Sequence, residues 1–280
     1  MSPLKIDHVT LAGPDLSRMQ DAFATFGFAT EYGGPHSNGI THMSQLGFDD
    51  GSYIELISTL APWTQSPWWH AHIAGNAGPC GWAIEVPDVA AECAQLRACG
   101  QEVRGPIAMS RRRPDGAILE WDLAFIGEGE PGTVLPFIIK DRTPRFLRVR
   151  PSTSVSASEL TGIAGICLCV QEVARTAALF NRCYGATPSA EFTIEQIAAR
   201  AVHLVDTPVY LMSPASPGTS LAHRLAQFGE CPCAYLIGST DFAHTAARFN
   251  LSESMHWQSR RVAWFDSGKL ENIGVISSTS

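Results

Sequence analysis

The feature that most constrains this chain is a fourfold repetition of one order of elements, β-α-β-β-β. The first pass predicts a strand over 4–12, a helix over 15–26 and strands over 28–33, 41–48 and 52–58. Leu16, Met19, Phe23 and Phe26 fall at helical spacing, with Asp15 as the N-cap and Gly27 closing the helix. The second pass opens at Cys80, with a strand over 80–86, a helix over 88–99 ending at Gly100, and strands near 102–108, 117–126 and 134–140. The third opens at GIAGICLCV (162–170), with a helix over 172–184 ending at Gly185 and strands near 188–193, 200–205 and 208–213. The fourth opens at CAYLIGS (233–239), with a helix starting at Asp241 and strands near 254–258, 261–266 and 272–277.

The halves also echo one another residue by residue. A displacement of 153 lays Pro79 and Cys80 on Pro232 and Cys233, Asp88 on Asp241 and His70 on His223. One of 157 lays Leu16 on Val173, and one of 158 lays Gly27 on Gly185. A fixed period points to repeated supersecondary units rather than one large irregular domain. RVRPSTSVSAS, residues 148–158, is serine-rich and aperiodic and reads as a linker. The expected fold is α+β: four βαβββ modules paired into two domains. The first is 1–147, with modules 1–78 and 79–147; the second is 159–280, with modules 159–230 and 231–280.

Composition excludes several function classes. The formal net charge is −7 with no basic block beyond one arginine triplet, which argues against nucleic acid. No apolar run approaches the ~18 residues of a membrane span, and MSPLKIDHV lacks a signal pattern, so a cytoplasmic protein is expected. The eight cysteines form no CxxC pair and sit among alanines and leucines, as buried free thiols do. No G-x-S-x-G, P-loop or dinucleotide fingerprint is present. The oligomeric state is open, a dimer being one option.

In the first strand Ile6, His8 and Thr10 share a face and Val9 and Leu11 the other; in SYIELIS, Tyr53, Glu55 and Ile57 face one way and Ile54 and Leu56 the other. With Val9, Leu11, Ile54 and Leu56 under the helix, His8 and Glu55 are left on the concave side. Imidazole and carboxylate are ligands for Zn²⁺, Fe²⁺, Mn²⁺ or Ni²⁺; the other reading is a polar pair bonded to each other or to water. SRRRPDG places Arg111, Arg112 and Arg113 before a turn, where guanidinium forks suit an anionic substrate group, Arg112 or Arg113 being the expected contact. Trp121 is a candidate wall. His36 and His42 flank the loop HSNGITH, and either can serve as a general base. Trp63, Trp68 and Trp69 lie on the connection between the first two modules, as a lid or as an anchor.

IDHVTLAGPDL, HSNGITHMSQLGFDDGSYIELIS, SRRRPDGAILEWDLAF and LPFIIKD together resemble the vicinal oxygen chelate (VOC) superfamily, and within it a glyoxalase-like domain. In that superfamily two modules form a cupped sheet whose concave face holds the site. The resemblance implies a divalent metal held by His8 and Glu55. The family's other two ligands would fall near Gly81 or Trp82 and Phe137 to Ile139, which cannot ligate, so the rest would come from His36, His42, His70, His72, Glu85 or water. The later modules are blank, with Gly165 in place of His8 and Tyr210 in place of Glu55, which implies a degenerate second domain. Three functions stay open. The first is a metal-assisted isomerase or lyase acting on a small oxygenated anionic metabolite, with Glu55, His36 or His42 moving the proton. The others are an Fe-dependent dioxygenase and a metal-free binding protein with a cup lined by Tyr53, Trp82 and Trp121.

Overall fold

The structure, a computed structural model, describes residues 4–266, 270 and 272–278. Its first half holds β1 (Ile6–Ala12), α1 (Leu16–Ala24), β2 (Glu31–Pro35), β3 (Thr41–Gly47), β4 (Tyr53–Thr59), α2 (His70–Ala74), β5 (Gly78–Glu85), α3 (Val89–Ala98), β6 (Val103–Arg112), β7 (Ile118–Ile126), β8 (Phe137–Asp141) and α4 (Arg145–Arg148). The second holds α5 (Thr153–Ser156), β9 (Leu160–Cys169), α6 (Val173–Tyr184), β10 (Thr187–Pro188), β11 (Phe192–Ile194), β12 (Ala199–Val205), β13 (Val209–Pro214), α7 (Ser220–Phe228), β14 (Cys231–Ser239), α8 (Phe242–Arg248), β15 (Met255–Trp257), β16 (Arg260–Trp264) and β17 (Ile273–Ser277).

Every strand and helix of the repeat is present. One sheet runs β2-β3-β4-β1-β5-β8-β7-β6; the other runs β10-β12-β13-β9-β14-β17-β16-β15, with β11 on β12. In each sheet the opening strands of two modules, β1 with β5 and β9 with β14, pair antiparallel at the centre. The aspartates read as caps are caps: Asp15 accepts from the Arg18 amide, Asp88 from Ala90 and Ala91, and Asp241 from His244. Gly185 ends α6 at φ 69°, a left-handed position that glycine adopts without penalty. Helix α7, capped by Thr219, is an element the periodicity did not predict.

One apolar core joins both halves. Val9, Leu11, Ile54, Leu56, Trp82 and Ile84 of the first sheet share it with Ile166, Leu168, Tyr235 and Ile237 of the second. Trp82 is therefore not a cup residue: it is fully buried and stacks against Phe180 of α6, with ring centroids 6.4 Å apart. Residues 148–158 are firmly seated, with Arg148 and Val155 buried, Pro151 bridging to Gly47, and α5 in place of an open tether.

The second sheet's concave face is lined by apolar side chains, and an open cavity of about 950 Å³ lies against Met212, Leu221, Cys233, Ala234 and Trp264. A Cβ on Gly165 would meet Leu236 Cδ1 at 2.9 Å, and Tyr210, Trp257 and Leu236 occupy the concave side. All eight cysteines are free thiols. Among the described residues no helix is long and apolar enough to cross a membrane.

Candidate functional site

The first cup encloses a cavity of about 70 Å³. Strand alternation delivers its lining: His8 from β1, Tyr53 and Glu55 from β4, Met109 and Arg111 from β6, Trp121, Leu123 and Phe125 from β7, and Phe137 and Ile139 from β8. His36, Trp68 and Trp69 close it from the connections. His8, Glu55, His36, Arg111, Trp121 and Tyr53 are thus brought together. His42, Arg112 and Arg113 are not among the lining residues.

Each exclusion has a cause. His42 lies on β3, with Nδ1 3.4 Å from the Tyr32 hydroxyl. Arg112 is exposed, and its Nη1 donates to the Gly116 carbonyl. Arg113 is bound outside the cup by Glu31, Asp115 and the Leu147 carbonyl. Arg111 instead takes the inward position because β6 continues through Arg112, so Met109 and Arg111 share one face. It is 6% exposed, and its Nη1 has no hydrogen-bond partner among the described residues. Burial lowers its pKa, with Tyr53 and Glu55 opposing the shift. Gly33 makes the room: a Cβ there would lie 2.2 Å from Met43 Sδ and 2.5 Å from Arg111 Nη1.

His36 and Glu55 face each other across the cavity, Nε2 to Oε1 3.7 Å, beyond direct hydrogen-bond length. Thr41 Oγ1 sits 2.9 Å from His36 Nδ1 and fixes the ring. Burial lowers the pKa of His36, outweighing the Glu55 charge that raises it, so the imidazole is neutral near pH 7.

A buried ionic group that sequence reasoning missed supports this floor. Asp7 is the extra residue of a β-bulge, where two steps on β1 oppose one on β5 (Ile6 with Ile84, His8 with Ala83). Alternation alone would send Asp7 away from the cup. Instead its Oδ1 accepts from His8 Nδ1 at 2.6 Å and from Arg148 Nη1 at 2.9 Å, and Oδ2 accepts from Arg148 Nη2 at 2.7 Å and from Arg145 Nη1. Arg148 also donates to Tyr53 Oη at 2.9 Å and to Asp141. Burial pushes the Asp7 carboxyl up, but Arg148 and His8 more than offset it and hold it well below the usual range. The sequence signal was present: an aspartate beside a strand histidine, and two arginines at 145 and 148 at helical spacing.

The metal site implied by the resemblance needs three or four protein donors. His8 has one nitrogen committed to Asp7, Glu55 lies against His36, and among the described residues no three His, Cys, Asp or Glu side chains come together in a way that could hold an ion. The second-module ligand position is closed sterically as well as chemically. A Cβ on Gly81 would meet Trp69 Cζ2 at 2.7 Å and the Pro131 carbonyl at 2.8 Å. The Trp69 indole lies there because its amide is bonded to Glu130 and its Nε1 to Pro131 O, with its backbone left-handed at φ 51°. The residues present do not fit the multi-ligand centre.

Among solved structures, a hypothetical protein from Staphylococcus aureus matches at 13% identity over 98% of each chain, TM-score 0.62. A mutant of 4-hydroxymandelate synthase from Streptomyces coelicolor matches at 12% identity over 99% of this chain and 93% of its own, TM-score 0.60. Methylmalonyl-CoA epimerase from Mycobacterium tuberculosis, at 13% identity, covers 44% of this chain and 92% of its own, TM-score 0.39. The first two likenesses speak to the fold. No curated protein matches the sequence. The sequence model of the glyoxalase-like domain matches residues 6–184, more than half of the chain. The cupped eight-stranded sheet is the architecture expected of such a domain, and the chain belongs to the glyoxalase-like domain family of the VOC superfamily.

Proposed function

We propose that the first cup is the active site of an isomerase or lyase that moves a proton at a carbon next to a carbonyl in a small oxygenated anionic metabolite. The observation that carries this is the pairing, in one cavity, of the buried Arg111 guanidinium, whose Nη1 has no partner among the described residues, with Glu55 and His36, which face each other. Arg111 would hold the substrate's anionic end, which fixes the neighbouring carbonyl carbon between the proton-moving groups. Glu55 and the neutral His36 are the acid/base pair; apo distances in such pairs are often long and shorten around substrate. His8, held by Asp7, and Tyr53 form the floor that orients the substrate.

The competing reading is a binding protein without turnover, which the predominantly apolar walls favour. The discriminating experiment is to incubate the protein with short 2-oxo and 2-hydroxy acids in D₂O and follow deuterium incorporation by mass spectrometry. Incorporation lost in Glu55→Gln supports the enzyme. Binding of such acids without incorporation leaves the protein as a carrier. Incorporation in step with a stoichiometric metal, lost on chelation, would require ligands beyond those described here.

A further inference from the structure

We infer that the ligand of the first cup is a monocarboxylate with a compact apolar or aryl body, rather than a phosphorylated compound. This rests on the first cup being the working site, and it adds the chemical class. Two arginines line the cavity. Arg148 is saturated by Asp7, Asp141 and Tyr53, so its charge is met before any ligand arrives. Arg111 is the other, and its Nη1 is buried without a partner. Among the described residues no hydrogen bond neutralises its guanidinium, and a buried charge short of partners strongly favours a ligand acceptor within reach of that group.

One guanidinium matches one carboxylate, through its planar fork. A phosphate dianion would bring a second charge into a cavity where no second unmet cation is available among the lining residues, while Glu55 already contributes a negative group. Away from Arg111 the walls are Trp68, Trp121, Leu123, Phe125, Phe137 and Met109, which offer faces and edges rather than hydrogen bonds. The volume of about 70 Å³ admits on the order of five water-sized bodies, enough for a compact ring or a branched chain beside the arginine. Gly33 is part of this selectivity, because only its missing side chain lets Arg111 settle against the wall.

The test is binding of matched probes by isothermal calorimetry: benzoate, cyclohexanecarboxylate, benzyl alcohol, phenyl phosphate and acetate. Benzoate or cyclohexanecarboxylate should bind at least tenfold tighter than each of the other three. Arg111→Met, which removes the charge without leaving an unpaired one, should bring benzoate down to the affinity of benzyl alcohol and leave the alcohol unchanged. Gly33→Ala, a substitution its backbone tolerates, should weaken benzoate several-fold by displacing the guanidinium, with the melting temperature of each variant as a check on folding. Phenyl phosphate outbinding benzoate, a carboxylate preference surviving both substitutions, or no carboxylate binding at millimolar concentration overturns the inference. Because binding and deuterium incorporation are separate readouts, carboxylates that bind without exchange would sink the enzyme reading and leave this one standing.

Discussion

Asp7 and Arg148 meet in a bidentate pair, Oδ1 to Nη1 2.9 Å and Oδ2 to Nη2 2.7 Å, with both residues buried beneath the cup. Arg148 comes from α4, just past the last strand of the first sheet, so the pair ties the start of that sheet to its end. Two charges withdrawn from water give little net stability when intact, but breaking such a pair costs about 3–5 kcal/mol. Asp7→Asn should destabilise the protein by roughly 3 kcal/mol in urea titrations near pH 7. Asp7→Asn combined with Arg148→Met should cost clearly less than the sum of the single changes. Additive losses would mean that the two side chains act independently.

His72 makes a different prediction, about pH. It sits on α2 at 3% exposure, stacks on Phe228 of α7 at 5.1 Å, and neither ring nitrogen has a partner among the described residues. Burial, with the Arg224 charge nearby, lowers its pKa from 6.5 to about 4. The unfolded chain therefore takes up a proton between those values while the folded one does not. Stability is fully present above about pH 6.5, falls as the pH drops towards 4, and is flat in this contribution below that. His72→Phe should remove this slope and leave the variant about 2 kcal/mol more stable than the parent at pH 5, relative to their difference at pH 8. Denaturation curves at the two pH values measure it; an unchanged slope would place the acid sensitivity elsewhere.

Gly81 and Trp69 test whether the tryptophan closes the cup by design of the backbone or by chance of packing. Gly81→Ala would put its methyl carbon 2.7 Å from the indole, which cannot retreat without giving up the Nε1 bond to Pro131. Overpacking of this kind costs about 1–3 kcal/mol. The variant should show that loss together with a red-shifted tryptophan emission as the ring moves outward. Full stability with unaltered emission would show that the indole has room the geometry denies it.

What the sequence made legible follows from locality. Val9, Leu11, Ile54 and Leu56 alternate with His8, Tyr53 and Glu55, so the two faces of β1 and β4 were readable from spacing alone, and the aspartate caps were readable from the helices they open. Asp7 was not, because a bulge on β1 turns it inward and no local pattern marks the extra residue. Arg111 was masked by the turn at 113–116, which drew attention to Arg112 and Arg113; the strand's inward face, Ile107, Met109 and Arg111, carried the better signal. His36 and His42 are alike as sequence, and the approach of Glu55 to His36 separates them. For Arg148 with Asp7 the residue types were visible in the sequence, but their pairing across the sheet is set by the tertiary fold and not by any turn or strand.

Beside the shared core, one hydroxyl of the second half reaches the central seam of the first sheet. Tyr235 on β14 donates to the Thr10 carbonyl at 3.0 Å and lies 2.8 Å from that of Gly81, where the register of β1 against β5 shifts. The hydroxyl from the other sheet thus sits at that irregularity, within hydrogen-bond distance of a carbonyl on each of the two central strands. Tyr235→Phe keeps the ring in the shared core and removes the hydroxyl, leaving buried carbonyls short of a donor at about 1–3 kcal/mol. The cost should appear locally, as faster amide hydrogen exchange in β1 and β5 than in β12 and β13, because the central seam of the first sheet loosens while the outer strands of the second keep their ladder. Since β1 carries His8, probe binding in the first cup should weaken as well. Exchange that rises equally in all four strands would make Tyr235 an ordinary core residue, and the coupling between the halves would then rest on the shared core and on bonds such as those from Arg224 to the Ala77 and Pro79 carbonyls.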